Sequence, residues 1–135
     1  MLDKLAALEQ NIRDLRLLKG KLSQLKWETG THEKWALRYG LFESIQIIID
    51  ISCHLVSKFN LGSPKNYREC IELLLKNGYV SAELTKKIHL MIGLRNILVH
   101  EYMAIEDKRL YDMLDQVDDM SEFVRVSAPL LERSS

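Results

Sequence analysis

The chain has 135 residues, 47% hydrophobic and 28% charged, which fits one globular domain over 1–135, long enough for a real core but short of two domains, and excludes a disordered chain. Lys plus Arg and Asp plus Glu both number 19, so no net charge draws the whole molecule to nucleic acid or a membrane surface. The two cysteines, Cys53 and Cys70, match no metal spacing and are expected as reduced, packing thiols of an intracellular chain. The charged, amphipathic start MLDKLAALEQ is unlike a signal peptide. Nowhere do about 18 apolar residues run together, as a simple membrane span needs, so no membrane partner and a cytoplasmic location are expected.

The first predicted helix runs from about Leu2 to Glu28. Its apolar positions Leu5, Leu8, Ile12, Leu15, Leu18, Leu22 and Leu25 step by three or four and mark one buried stripe. Gly30 suits its C-terminal cap and Thr31 the N-cap of the next element. The second helix, about Glu33 to Phe59, is apolar over most of its circumference, with Leu41, Phe42, Ile45, Ile47, Ile48, Ile49, Ile51, Leu55 and Val56. A helix of that kind sits centrally, covered by neighbours or by a second subunit. One narrow polar stripe crosses it: Glu43, Gln46, Asp50 and His54, within roughly 80° of one another. Either the stripe faces solvent, or it faces Arg95 and His100 with Asp50 or Glu43 orienting one of them.

Asn60, Gly62, Ser63 and Pro64 break the chain, and Pro is welcome in a first helical turn. A short helix follows over Tyr67 to Lys76, ended by Asn77-Gly78. Ser81 caps a fourth helix, with Glu83 in its first turn, that ends near Val99 or His100. The last long helix, about Glu106 to Leu131, buries Leu110, Met113, Leu114, Val117, Met120 and Val124, with Asp112, Asp115, Asp118 and Asp119 mostly outward. There is no alternating strand pattern, glycine-rich phosphate loop or internal repeat. The predicted fold is all-α, an up-and-down bundle of four long helices and one short one.

The even charge hides segregation. From Lys58 to Arg95 seven basic residues face three acids, whereas acids dominate from Glu106 onward. A basic middle suits a phosphate backbone, and solvated helix faces explain it equally well.

The chemistry-bearing stretch is MIGLRNILVHEY, Met91 to Tyr102. Arg95, Asn96, His100 and Tyr102 fall within eight residues of an otherwise apolar run. A guanidinium is a fixed phosphate clamp, and imidazole titrates near neutrality. One reading is a core helix with a buried Arg paired to a carboxylate and a satisfied His. The other is a minimal kit for metal-free phosphodiester chemistry. At about 100° per residue, Arg95 and Tyr102 lie roughly 20° apart, but His100 lies about 140° from Arg95. Either the helix ends before His100, or the site is shared with a second copy across a two-fold interface. No Asp-His or Glu-His spacing points to a metal, and no cofactor is expected.

The run R-N-x-x-x-H-x-Y at Arg95, Asn96, His100 and Tyr102 resembles the signature of the HEPN superfamily, specifically HepT-like toxins. GLRN precedes it, Ile105 and Glu106 follow it, and a G-x-P-x-x-Y-R-E segment stands at Gly62, Pro64, Tyr67, Arg68 and Glu69. The likeness spans about Leu41 to Tyr111; Glu106 stands where the family pattern has Asp. It implies a HEPN-like homodimer and a metal-independent ribonuclease toxin of a type II HEPN–MNT toxin–antitoxin pair, cutting RNA to a 2′,3′-cyclic phosphate. On that model His100 moves a proton at the ribose 2′-OH or the leaving oxygen, Arg95 holds the scissile phosphate, and Asn96 positions His100 or the RNA. The implied partner is an MNT-type nucleotidyltransferase antitoxin, which transfers AMP from ATP to Tyr102. The alternative is a non-catalytic bundle that binds or presents substrate to a nucleotidyltransferase; it would not need His100.

Overall fold

The leucine stripe of the first segment forms one helix, α1 (Leu2–Gln24), with Leu5, Leu8, Ile12, Leu15 and Leu22 all buried. The computed structural model describes residues 1–24, 31–100 and 106–133, and every regular element among them is helical. Leu25, Gly30 and the rest of the first connection lie outside the described residues. Helix α2 (Thr31–Lys58) starts two residues earlier than expected and takes in Thr31 itself.

Helix α2 is the centre of the molecule. Ile47, Ile48 and Ile49 are consecutive and all buried; three successive positions sweep about 200° of a helix, so neighbours must cover it from several sides. Helices α1, α3 (Tyr67–Lys76), α4 (Ala82–His100) and α6 (Val117–Glu132) all pack on it. The apolar excess of α2 is therefore absorbed within one chain and does not by itself call for a second subunit. The same helix is long and apolar enough, from His32 to Lys58, to cross a membrane by length and composition. Here those residues make the bundle core.

The chain leaves α2 through Asn60 (φ 53°) and Gly62 (φ 151°). At Gly62 the backbone conformation favours glycine, and a Cβ would also meet the Leu73 side chain at 3.2 Å, so that the leucine would have to shift. Pro64 precedes α3 rather than opening it. Asn66 is the N-cap, its side-chain oxygen accepting from the Glu69 amide at 3.0 Å. Helix α3 keeps the predicted bounds and buries Cys70, Ile71 and Leu74. Cys70 is bonded to Cys53, with 5.1 Å between their Cα atoms, which corrects the expectation of two free thiols and ties α3 to α2.

Ser81 caps α4 as expected, its hydroxyl accepting from the Leu84 amide at 3.0 Å. The final helix is not continuous. It is a short α5 (Asp107–Asp112), a 3₁₀ turn (Met113–Gln116) and then α6. Asp112, Asp115, Asp118 and Asp119 fall along this interrupted stretch. Arg16 and Lys19 of α1 meet two of them, Asp118 at 3.0 Å and Asp115 at 2.8 Å. Phe123 is buried alongside Met120 and Val117, whereas Met113 and Val124, expected in the core, are only half-buried.

Candidate active site

Arg95 projects from the middle of α4 towards α2 and α3, and four side chains hold it. Its Nε and Nη2 both donate to Gln46 Oε1, at 3.0 and 2.7 Å, and Nη1 donates to Asn96 Oδ1 at 3.0 Å. The guanidinium carbon is 5.8 Å from the Phe42 ring centre and 5.5 Å from that of Tyr67. All the hydrogen-bond acceptors are neutral amide oxygens. Among the described residues no carboxylate pairs with Arg95, so its charge is oriented but not cancelled. Among the described residues three of its five N–H groups are used, leaving two for an anion.

Gln46 owes its orientation to Asp50. The Gln46 Nε2 donates to Asp50 Oδ1 at 3.0 Å, which turns the amide oxygen towards Arg95. Asp50 Oδ2 is in turn paired with Lys4 Nζ at 2.6 Å. Asp50 thus reaches Arg95 through one intervening side chain, not directly. Glu43 is engaged elsewhere: the Tyr39 hydroxyl and, at 2.8 Å, the Asn11 amide donate to it. These two donors, Tyr39 first, hold the Glu43 carboxyl below its ordinary value, and the Glu43 carboxylate in turn pushes the Tyr39 hydroxyl up. His54, the fourth member of the stripe, is held below the usual imidazole value by burial and by the nearby N-terminus and Lys58. Of the polar stripe on α2, Gln46 is the residue that serves Arg95, a role sequence reasoning assigned to its acidic neighbours.

His100 is the last residue of α4 and is exposed. The helix runs unbroken from Arg95 to His100, so the two are about 140° apart around one axis and cannot meet on one atom within a single chain. Asn96 turns to Arg95 and not to His100. Tyr102, the predicted acceptor of AMP, lies outside the described residues. Beside Arg95 there is a shallow cleft of about 290 Å³ lined by Trp35, Arg38, Tyr39, Phe42 and Leu98. Trp35 and Tyr39 are 63% and 66% exposed, an aromatic surface without cover in one chain. Tyr67 was legible through its family segment; Phe42 carried no signal beyond being apolar. Among the described residues no three His, Cys, Asp or Glu side chains gather as a metal site needs.

A family model described as ribonuclease HepT-like matches residues 8–127. The chain belongs to this family. It is 27% identical over 127 residues to the mRNA nuclease HepT of Shewanella oneidensis, covering 93% of this chain and 94% of that one. It is 42% identical over 67 residues to a tRNA nuclease HepT from Aphanizomenon flos-aquae, about half of each chain (49% and 45%). Among solved structures, the tri-AMPylated HEPN toxin of Shewanella oneidensis in complex with an MNT antitoxin superimposes with a TM-score of 0.82, at 25% identity and 93% coverage of both chains. The all-helical fold and the family expected from the R-N-x-x-x-H-x-Y run are thereby established.

Proposed function

We propose that the protein is a cytoplasmic, metal-independent endoribonuclease, the toxin of a HEPN–MNT pair, with its site completed in a homodimer of up-and-down bundles. The observation that carries this reading is Arg95, a cation held in place by neutral amides and aromatic faces with two donors to spare. A structural arginine in a helical core is normally paired to a carboxylate; this one is left as an anion site. The relatives' nuclease activities supply the substrate class.

On this reading Arg95 grips the scissile phosphate and offsets charge growing on it in the transition state. Asn96 and Gln46 fix the guanidinium plane. His100 of the other copy takes the proton from the ribose 2′-OH or gives one to the leaving oxygen, yielding a 2′,3′-cyclic phosphate. The divergence of Arg95 and His100 along one unbroken helix favours a two-fold arrangement, and the exposed Trp35 and Tyr39 beside Arg95 give such a dimer an apolar contact. The test is RNA cleavage in excess chelator by wild type, Arg95→Ala and His100→Ala. Loss in both variants supports the mechanism; cleavage that survives either substitution, or that needs a divalent ion, ends it.

Control follows from Tyr102. An MNT nucleotidyltransferase would transfer AMP to its hydroxyl, placing a phosphate and a base where RNA binds. Arg95 would then pair with the attached phosphate instead of substrate. Incubation with the neighbouring nucleotidyltransferase, ATP and Mg²⁺ should add mass in AMP units at Tyr102 as cleavage falls, and Tyr102→Phe should abolish both. No adduct, or one elsewhere, reduces Tyr102 to a structural residue. The nuclease relatives weigh against the alternative of a non-catalytic partner.

A further inference from the structure

On the face of α4 turned away from Arg95, an open groove of about 610 Å³ runs between α3, α4 and α5. Three cations line it, one from each helix: Arg68, Lys86 and Arg109. The one carboxylate in its wall, Glu72, is already engaged by His89 Nε2 at 2.6 Å. Among the described residues Lys86 and Arg109 have no ion-pair partner. Arg68 is laid along the floor, its Nη1 donating to the His89 carbonyl at 3.1 Å. Its Nη2 passes over Gly93, where even an added Cβ would stand 3.6 Å away. Between the cations the floor is apolar, with Leu90 (55% exposed) and Ile97 prominent.

The groove points at His100. Gly93 and His100 are seven residues apart, so they lie within about 20° on one line of α4, roughly 10 Å from each other. Arg95, two residues beyond Gly93, is about 200° round the axis on the opposite side. Cations spaced along an apolar floor suit a polymer that alternates phosphates with flat, partly apolar bases. An acidic protein surface would meet the same charges but has no use for the exposed floor between them.

We propose that the Arg68–Lys86–Arg109 groove binds the single-stranded RNA flanking the cut, guiding it along α4 to the His100 of the same chain. The strand then meets the phosphate clamp of Arg95 from the second copy, so each chain supplies a binding track on one face of α4 and a clamp on the other. This inference rests on the ribonuclease reading and adds to it the residues that hold the substrate away from the scissile bond.

The test is binding of a short single-stranded RNA, 2′-O-methylated at every ribose so that it cannot be cut, measured by fluorescence anisotropy across a salt series. Wild type is compared with Lys86→Gln, Arg109→Gln and Arg68→Gln, and with Arg13→Gln on distant α1 as control. Lys86 and Arg109 are exposed, so their variants keep the fold even if Arg68→Gln does not. Each groove variant should weaken binding several-fold and lower the slope of log affinity against log salt by about 0.7, with Arg13→Gln unchanged. If wild type binds RNA and the Lys86 and Arg109 variants bind equally well, the groove is not the track and the inference falls while the ribonuclease reading stands. If those variants keep RNA binding but lose the nucleotidyltransferase, the groove is a protein-docking face and the inference is overturned. If wild type binds no RNA at all, both fall.

Discussion

Arg95 and Gln46 are joined twice: the guanidinium Nε and Nη2 both donate to one amide oxygen, at 3.0 and 2.7 Å. That oxygen fixes the plane of the guanidinium without neutralising it. Gln46→Glu keeps the shape but sets a carboxylate against the clamp. The ion pair gained with Arg95 is offset by the lost donation to Asp50 and by two carboxylates brought together there. Stability should therefore change by no more than about 1 kcal/mol while RNA cleavage slows about tenfold or more. Gln46→Leu removes the acceptor and should cost about 1–2 kcal/mol of stability. Initial cleavage rates and denaturant melts of the two variants separate the effects. Unchanged cleavage in Gln46→Glu would mean that Arg95 does not act through its free charge.

The core prediction concerns α2. Ile48 is fully buried where α2 is covered by its neighbours. Ile48→Ala should destabilise by about 2–5 kcal/mol through lost burial and the cavity left behind. Leu17, 69% exposed on α1, is the contrast: Leu17→Ala should change stability by no more than about 0.5 kcal/mol. Urea denaturation measures both. A similar small effect at the two sites would show that α2 is not the centre of the fold.

Acid should weaken the fold in part through Glu43. Its folded carboxyl lies below the reference of 4.5 because Tyr39 and then Asn11 donate to the ionised form. The unfolded chain therefore binds the proton first as pH falls. The stabilisation is complete above 4.5 and is lost as pH drops through the lower folded value. Glu43→Gln should be less stable than wild type at neutral pH and lose less on acidification through that window. Parallel melting curves of wild type and variant at neutral pH would contradict this.

The Cys53–Cys70 bond closes a segment 17 residues long in sequence, linking the core helix to α3. Cutting it should lower stability by up to about 3 kcal/mol, chiefly by freeing the unfolded chain. Denaturation with and without reductant, with thiols counted by alkylation and intact mass, checks this. Two alkylatable thiols in non-reduced, native protein would return the pair to simple packing residues.

Much of this architecture was written in the residues. Three- and four-residue leucine steps gave α1, and the Ser81 cap with the Asn77-Gly78 stop marked the start of α4 and the end of α3, because local chemistry decides helix ends; the Asn66 cap of α3 was not singled out. The interrupted final helix was not legible: apolar spacing at 110, 114 and 117 suits both α and tighter turns, and periodicity alone does not decide between them. Arg95 stood out as a charged residue in an apolar run. Its partner did not, since Glu43, Gln46 and Asp50 share one face of α2 and periodicity cannot tell which of them reaches across. The pairing of two distant cysteines is likewise a tertiary fact.

The central claim is that Arg95 and His100 act together from different copies of the chain. Mixing tests it most directly. Arg95→Ala and His100→Ala are purified separately, combined, allowed to exchange subunits and assayed for RNA cleavage in excess chelator. Each variant alone should be inactive. After exchange half of the dimers carry one intact site of two, so the mixture should recover about a quarter of wild-type activity. A mixture as inactive as its components, with exchange verified by mass, would contradict a site shared across the dimer.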